Sequence, residues 1–122
     1  MKYLLLIYGD EDAWASMGDE GRAQMYEEYG TFAAWLEEKG WMRSGDELTS
    51  VRTATTVRVR DGQVLSTDGP FAETKEQLGG YFLIECDDLD QAIEAAARIP
   101  AAKGGSIEVR PIVEDAPADH PH

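Results

Sequence analysis

Asp68, Glu73, Lys75 and Glu76 crowd together beside one glycine–proline turn, in a stretch that runs from Thr67 through Asp68-Gly69-Pro70-Phe71 to Gly79-Gly80-Tyr81. A carboxylate held at such a turn can act as a general base or acid if burial or a like charge raises its pKa. A neighbouring ammonium can hold an anionic group. Asp68 is therefore the candidate catalytic residue, and Glu73 and Lys75 are candidate ligand contacts. The backbone is constrained as heavily as the side chains are charged. Gly69 tolerates positive φ, Pro70 fixes φ, and Asp68 can hydrogen-bond the amides that follow it. A plain connector rarely needs so much constraint, which marks this loop as the place for function. Each feature also has a structural reading. Asp68 can spend its carboxylate on its own turn, and Glu73, Lys75 and Glu76 can form a solvated salt-bridge cluster.

Other chemistry is sparser. Arg58 and Arg60 can draw an anion to a strand surface, or simply be solvated there. Tyr8 and Tyr81 can line a cleft with their hydroxyls inward, or sit in the core with one hydrogen bond each. Gly79-Gly80 lacks the flanking pattern of a phosphate loop and suits a bulge at strand entry. Cys86 alternates with Phe82 and Ile84, as a buried inert thiol would. His120 and His122 are the two histidines, and a metal centre needs three or four rigid ligands. Asp10-Glu11-Asp12 lacks the glycine and distal glutamate of a calcium loop. No metal and no cofactor are expected. Trp14, Trp35 and Trp41 read as packing or dimer contacts.

Composition sets the outer limits. The chain has 122 residues, enough for one domain with its own core. Eleven Lys and Arg against 24 Asp and Glu give a net charge of −13, a field that repels phosphate backbones and anionic lipids. Direct nucleic-acid binding is not expected. The longest apolar run, Tyr3 to Tyr8, is too short to span a bilayer, and no small-residue cleavage site follows it. A single cysteine suits a reducing cytoplasm.

The elements that must position these groups follow from apolar periodicity. Tyr3 to Tyr8 reads as a strand covered on both faces, and Asp10 to Gly18 as a loop. Met25, Tyr26, Tyr29, Phe32, Ala33 and Leu36 fall at helical spacing from about Asp19, with Lys39-Gly40 as the stop. Trp41 to Leu48 reads as a short, irregular strand. Asp61-Gly62 closes a hairpin that pairs Arg60 with Gln63, Val59 with Val64, Arg58 with Leu65 and Val57 with Ser66. Tyr81 to Cys86 is a strand. Asp87 caps a helix with stripe Leu89, Ala92, Ile93, Ala96 and Ala97, ended by Pro100. Gly105 to Ile112 is a last strand. Residues 1–113 make the domain, and Glu114 to His122 reads as a disordered acidic tail. Two βαβ-like halves with an inserted hairpin imply an α+β sandwich, with helices on one sheet face and the other face free for a second subunit.

Lys2–Tyr8, Thr53–Arg58, Thr67–Leu83, Ile99-Pro100 and Ile107–Ile112 carry a resemblance to the YCII-related superfamily, in the branch named DGPF after Asp68–Phe71. It covers nearly the whole chain except the tail. The resemblance implies a ferredoxin-like fold that dimerises face to face into an α/β barrel. It also implies a His–Asp dyad in a cleft. The Asp maps onto Asp68. The His maps onto nothing, because the matching region, Ser44 to Leu48, offers Asp46 and Glu47 instead. A proton shuttle near neutral pH is easiest with imidazole. DGPF relatives are often encoded beside, or fused to, extracytoplasmic-function sigma factors. The preferred reading is a non-catalytic ligand-binding or regulatory module of such a pathway, a homodimer taking a small anionic or aromatic ligand. The alternative is a lyase- or isomerase-type enzyme with Asp68 as acid/base. Tyr8, Asp46, Arg58, Glu73, Lys75 and Tyr81 are the candidate ligand contacts.

Overall fold

A computed structural model of the protein describes residues 1–114, so the expected tail falls almost wholly outside the described residues. Six strands and three α-helices follow one another in the order β1 (Lys2–Gly9), α1 (Glu11–Ser16), α2 (Gly18–Lys39), β2 (Met42–Glu47), β3 (Thr55–Arg60), β4 (Gln63–Asp68), β5 (Gln77–Glu85), α3 (Leu89–Arg98) and β6 (Ser106–Pro111). Short 3-10 turns occupy Val51–Thr53 and Pro100–Lys103. The main sheet has the order β2-β5-β1-β6, and every pair in it is antiparallel. Setting the hairpin aside, this is a β-α-β-β-α-β chain whose first and third sheet strands are neighbours, an α+β arrangement compatible with a ferredoxin-like fold. Hairpin β3–β4 forms a separate two-stranded sheet.

The core lies between the sheet and two helices. Tyr3, Leu5 and Ile7 point to one side of β1 and are buried, together with Ile84 of β5 and Cys86 just beyond it. Phe32 and Leu36 of α2 and Ala92, Ala95 and Ala96 of α3 close over them. Leu4 and Leu6, on the other side of β1, are only half-buried. The expectation that β1 is covered on both faces therefore fails for the single chain. Alternation along the strand sends every second residue to a face that no helix covers.

Local chemistry explains the other departures. Asp10–Gly18 is not a loop: Asp10 caps α1 by accepting the Asp12 amide at 2.9 Å, with Glu11 and Asp12 in the first turn. The Arg22 guanidinium of α2 then satisfies the carbonyls of Trp14 and Ala15 at the far end. On α3 the cap is Asp88, one residue later than expected, accepting the Gln91 amide at 3.0 Å. Gln91 reaches back to accept the N–H of Asp87, one residue before the cap, at 2.8 Å, a variant of the capping box. The buried stripe is accordingly Ala92, Ala95 and Ala96, while Leu89 and Ile93 are about half exposed at 48% and 51%.

Several expectations hold. Gly40 ends α2 at φ 76°. The hairpin has the expected register, with Asp61 and Gly62 at φ 52° and 74°. Gly79 sits where β5 bulges against β1. Cys86 is a free buried thiol whose pKa is raised, first by burial. No helix of the described residues is long and apolar enough to cross a membrane.

Candidate functional site

The turn that dominates the sequence is held by its backbone and by a threonine. Gly69, at φ 100°, donates its N–H to the Ala54 carbonyl at 2.7 Å, and Thr56 Oγ1 donates to the Gly69 carbonyl at 2.8 Å. Asp68 ends β4 opposite Thr55, exposed, and its carboxylate makes no hydrogen bond among the described residues. Among the described residues it neither caps its own turn nor forms a hydrogen bond or ion pair with a second titratable group. The two clamps come from Ala54, just before β3, and from Thr56 within it, and form only when the hairpin closes.

Beneath this turn lies an open cleft of about 300 Å³, lined by Val51 and Arg52, by Pro70, Ala72, Glu73 and Thr74, and by Gln77. One chain of hydrogen bonds ties its two segments together. Glu11, at the head of α1, accepts Ser50 Oγ at 2.7 Å and the Val51 amide at 2.9 Å. Its own amide donates to Gln77 Oε1 at 3.3 Å, and Gln77 Nε2 donates to the Thr74 carbonyl at 2.9 Å. Thr74 Oγ1 in turn donates to the Glu76 carbonyl at 2.6 Å. Glu11 thus works as a strap between the 3-10 turn and the loop after β4. Glu11→Ala should cost about 2 kcal/mol of local opening free energy, because it orphans a backbone N–H and a hydroxyl that a carboxylate held. Amide exchange at Val51 is the readout: it should speed up while core amides such as that of Leu5 stay protected. Glu11→Gln, which keeps an accepting oxygen, should fall between.

The expected site residues divide into four places. Glu73 lines the cleft. Arg58 and Asp68 lie on the exposed hairpin, and Lys75 is exposed in the loop, unpaired among the described residues. The expected cluster of Glu73, Lys75 and Glu76 does not form; Glu76 instead accepts Ser106 Oγ at 2.8 Å. Tyr8, Asp46 and Tyr81 belong to the uncovered face of the main sheet. There Asp46 stands opposite Tyr81, and Tyr81 and Glu108 flank Leu6 on the neighbouring strands. Tyr81 donates its hydroxyl to Asp46 Oδ2 at 2.7 Å, and Tyr8 donates to Glu108 Oε1 at 3.4 Å. Asp46 and Glu47 point to opposite faces, since Glu47 accepts the Tyr26 hydroxyl from α2 at 3.0 Å.

The hydrogen bond to Asp46 pushes the Tyr81 pKa up, with the carboxylate's charge adding to it. Folded Tyr81 thus holds its proton more tightly than a free phenol, and between the two pKa values the folded state binds more protons. The associated stability is fully present below about pH 10, the ordinary tyrosine value, and is lost as pH rises through the folded value. Asp46→Asn should bring the tyrosinate absorbance step of Tyr81, identified by difference from Tyr81→Phe, back down in pH. An unchanged step would remove Asp46 as the cause.

Reasoning from sequence missed Glu11, Ser50, Val51, Arg52 and Gln77. Asp10-Glu11-Asp12 did carry a signal, a cap followed by an acidic first turn. Nothing local marks Gln77 or Arg52, which acquire their roles when residues distant in sequence meet. A second depression, of about 510 Å³, runs along the exposed side of α2 past Glu20, Glu27 and Glu28, with all its walls from that one helix. Among the described residues, no group of three or more His, Cys, Asp and Glu is placed to hold a metal ion.

Comparison with known proteins adds lineage to this geometry. The chain is 34% identical over 123 residues to an uncharacterized protein of Rhizobium meliloti (strain 1021), and the match covers 99% of both chains. The family model described as the YCII-related domain matches residues 1–115, which takes in the sheet, the hairpin and the cleft alike. On both grounds the chain belongs to the YCII-related family.

Proposed function

We propose that this protein is a small-ligand-binding module with a regulatory role, working as a homodimer, and that the cleft beneath the Gly69–Pro70 turn is its binding site. The observation that carries the reading is the Glu11 strap, which spends four hydrogen bonds on holding two loop segments at the distance that leaves the cleft open. A loop fixed this closely around a solvent-filled space is preorganised for a ligand. The acid/base alternative needs a proton partner for Asp68, and its carboxylate has none in contact among the described residues. The half-buried leucines of the uncovered sheet face, rimmed by Asp46, Tyr8 and Glu108, support pairing with a second copy through that face. Contact with a sigma factor rests on the resemblance to the DGPF branch.

A metabolite-library thermal-shift screen on wild type, Asp68→Asn and Arg52→Ala separates these readings. A ligand at a hundred times its Kd adds about 2.7 kcal/mol, a readable shift. Binding in the cleft predicts a compound whose shift is lost in Arg52→Ala and kept in Asp68→Asn. Loss in Asp68→Asn alone favours acid/base chemistry on the hairpin. No shift with any compound turns the search to protein partners. Light scattering of Leu6→Glu tests the dimer, which should dissociate to monomer.

A further inference from the structure

The chemistry of the cleft restricts what it can hold, granted the reading of the cleft as a ligand site. Its lining side chains sort into three kinds. Val51, Pro70 and Ala72 are apolar. Gln77 and Thr74 are polar but already engaged: the Gln77 amide is used at both ends, by the Glu11 N–H and the Thr74 carbonyl, and the Thr74 hydroxyl donates to the Glu76 carbonyl. That leaves Arg52 and Glu73. Neither makes an ion pair or a side-chain hydrogen bond among the described residues, and they do not pair with one another although they line the same 300 Å³. Two unpaired side chains of opposite charge beside a small apolar surface describe the complement of a zwitterion with an apolar substituent.

The net charge of the chain decides between this and a simple anion. At −13 the molecule repels an anion from every side, and one exposed guanidinium does not reverse that field. A simple cation would meet Glu73 but would leave Arg52 facing a like charge. A zwitterion is neutral overall, so the global field neither attracts nor repels it. Each of its charges finds an opposite one in the cleft.

We propose that the cleft binds a free α-amino acid with an apolar side chain, its carboxylate on Arg52, its ammonium on Glu73, and its side chain against Val51, Pro70 and Ala72. The proposed ligand is a zwitterion, where the sequence suggested a small anionic or aromatic one. It also gives Glu73 a role that Lys75, exposed outside the cleft lining, does not share.

The test follows backbone-amide chemical shifts of residues 50–77 while the standard L-amino acids are added one at a time at millimolar concentration. The best binder is then compared with its amide, which lacks the carboxylate, and its N-acetyl form, which lacks the ammonium. Each capped form should bind wild type roughly tenfold more weakly, the scale of one charge-assisted contact. Arg52→Gln should weaken the free amino acid to the level of the amide and abolish the difference between those two. Glu73→Gln should do the same for the N-acetyl form. Both side chains are exposed, so neither variant threatens the fold. If the N-acetyl form binds as well as the free amino acid and Glu73→Gln has no effect, the cleft is an anion site and the zwitterion is wrong, while the ligand-binding reading stands. If no amino acid, amide or N-acetyl form moves these amides, the proposal is overturned. In that case, a compound from the wider library that moves them would keep the cleft as a ligand site; none doing so would remove that reading too.

Discussion

Phe32→Ala should destabilise the fold by about 4 kcal/mol, read from the midpoint of urea unfolding at unchanged slope. Phe32 is 4% exposed and meets Phe82 of β5 edge-on at 5.0 Å, with the Trp35 ring at 6.2 Å beside it. Truncation loses the transfer free energy of a benzyl group and leaves a cavity that sheet and helix can close only partly. Small domains have about 5–15 kcal/mol in total, so this is a large fraction of what holds the chain together. The loss should also reach the uncovered sheet face. Phe82 stands opposite Gly45, where an added Cβ would come within 2.7 Å of the ring, so Phe82 seats edge strand β2 directly. With Phe82 loosened, β2 should fray first, and with it the bond between Tyr81 and Asp46. Phe32→Leu keeps most of the volume and should cost roughly 1 kcal/mol. Equal effects from the two substitutions would mean that the site collapses freely, contrary to the packing seen.

Gly105→Ala should cost about 3 kcal/mol, for a reason that has nothing to do with apolar burial. A Cβ there would run into the Tyr8 carbonyl oxygen, with the Ala101 carbonyl oxygen at 3.2 Å and the Gly9 Cα at 3.3 Å. All three are backbone atoms, so no side chain can swing aside. The Gly105 N–H also donates to the Ala101 carbonyl at 2.7 Å, which fixes the glycine against the 3-10 turn. The methyl must push β6 away from the end of β1, where Tyr8 pairs with Ser106. Gly104→Ala is the control. Gly104 has φ −120° and nothing within 4 Å of an added Cβ, so its substitution should change stability by less than about 0.5 kcal/mol. Similar losses at both positions would point to backbone entropy instead of the collision.

What could be read from the sequence was what neighbouring residues decide among themselves. Asp61-Gly62 specifies a hairpin with its register, because a two-residue loop with both φ positive leaves one way to pair the flanking strands. Gly40 after Lys39 ends a helix by chain geometry alone. The alternation in β5 put Ile84 and Cys86 on the side that the core covers, and the order of elements pointed to two layers. Where the sequence misled, a partner from elsewhere completed the element. Helix α1 takes its last carbonyl contacts from Arg22, and the α3 stripe is Ala92, Ala95 and Ala96 because that is the side the sheet and α2 cover.

The candidate site divides along the same line. The sequence by itself determined that the Asp68–Phe71 turn exists, since Gly69 and Pro70 fix its backbone, and that the chain carries a strong negative field. Only the tertiary structure decided which charges share a space. It separated Asp68 from Asp46, paired Asp46 with Tyr81 across two strands, and brought Arg52 and Glu73 to one cleft through Glu11 and Gln77, far apart in the chain. Turn geometry is settled by a few consecutive dihedral angles. The company a charge keeps is settled by which distant segments the closing of the core brings together.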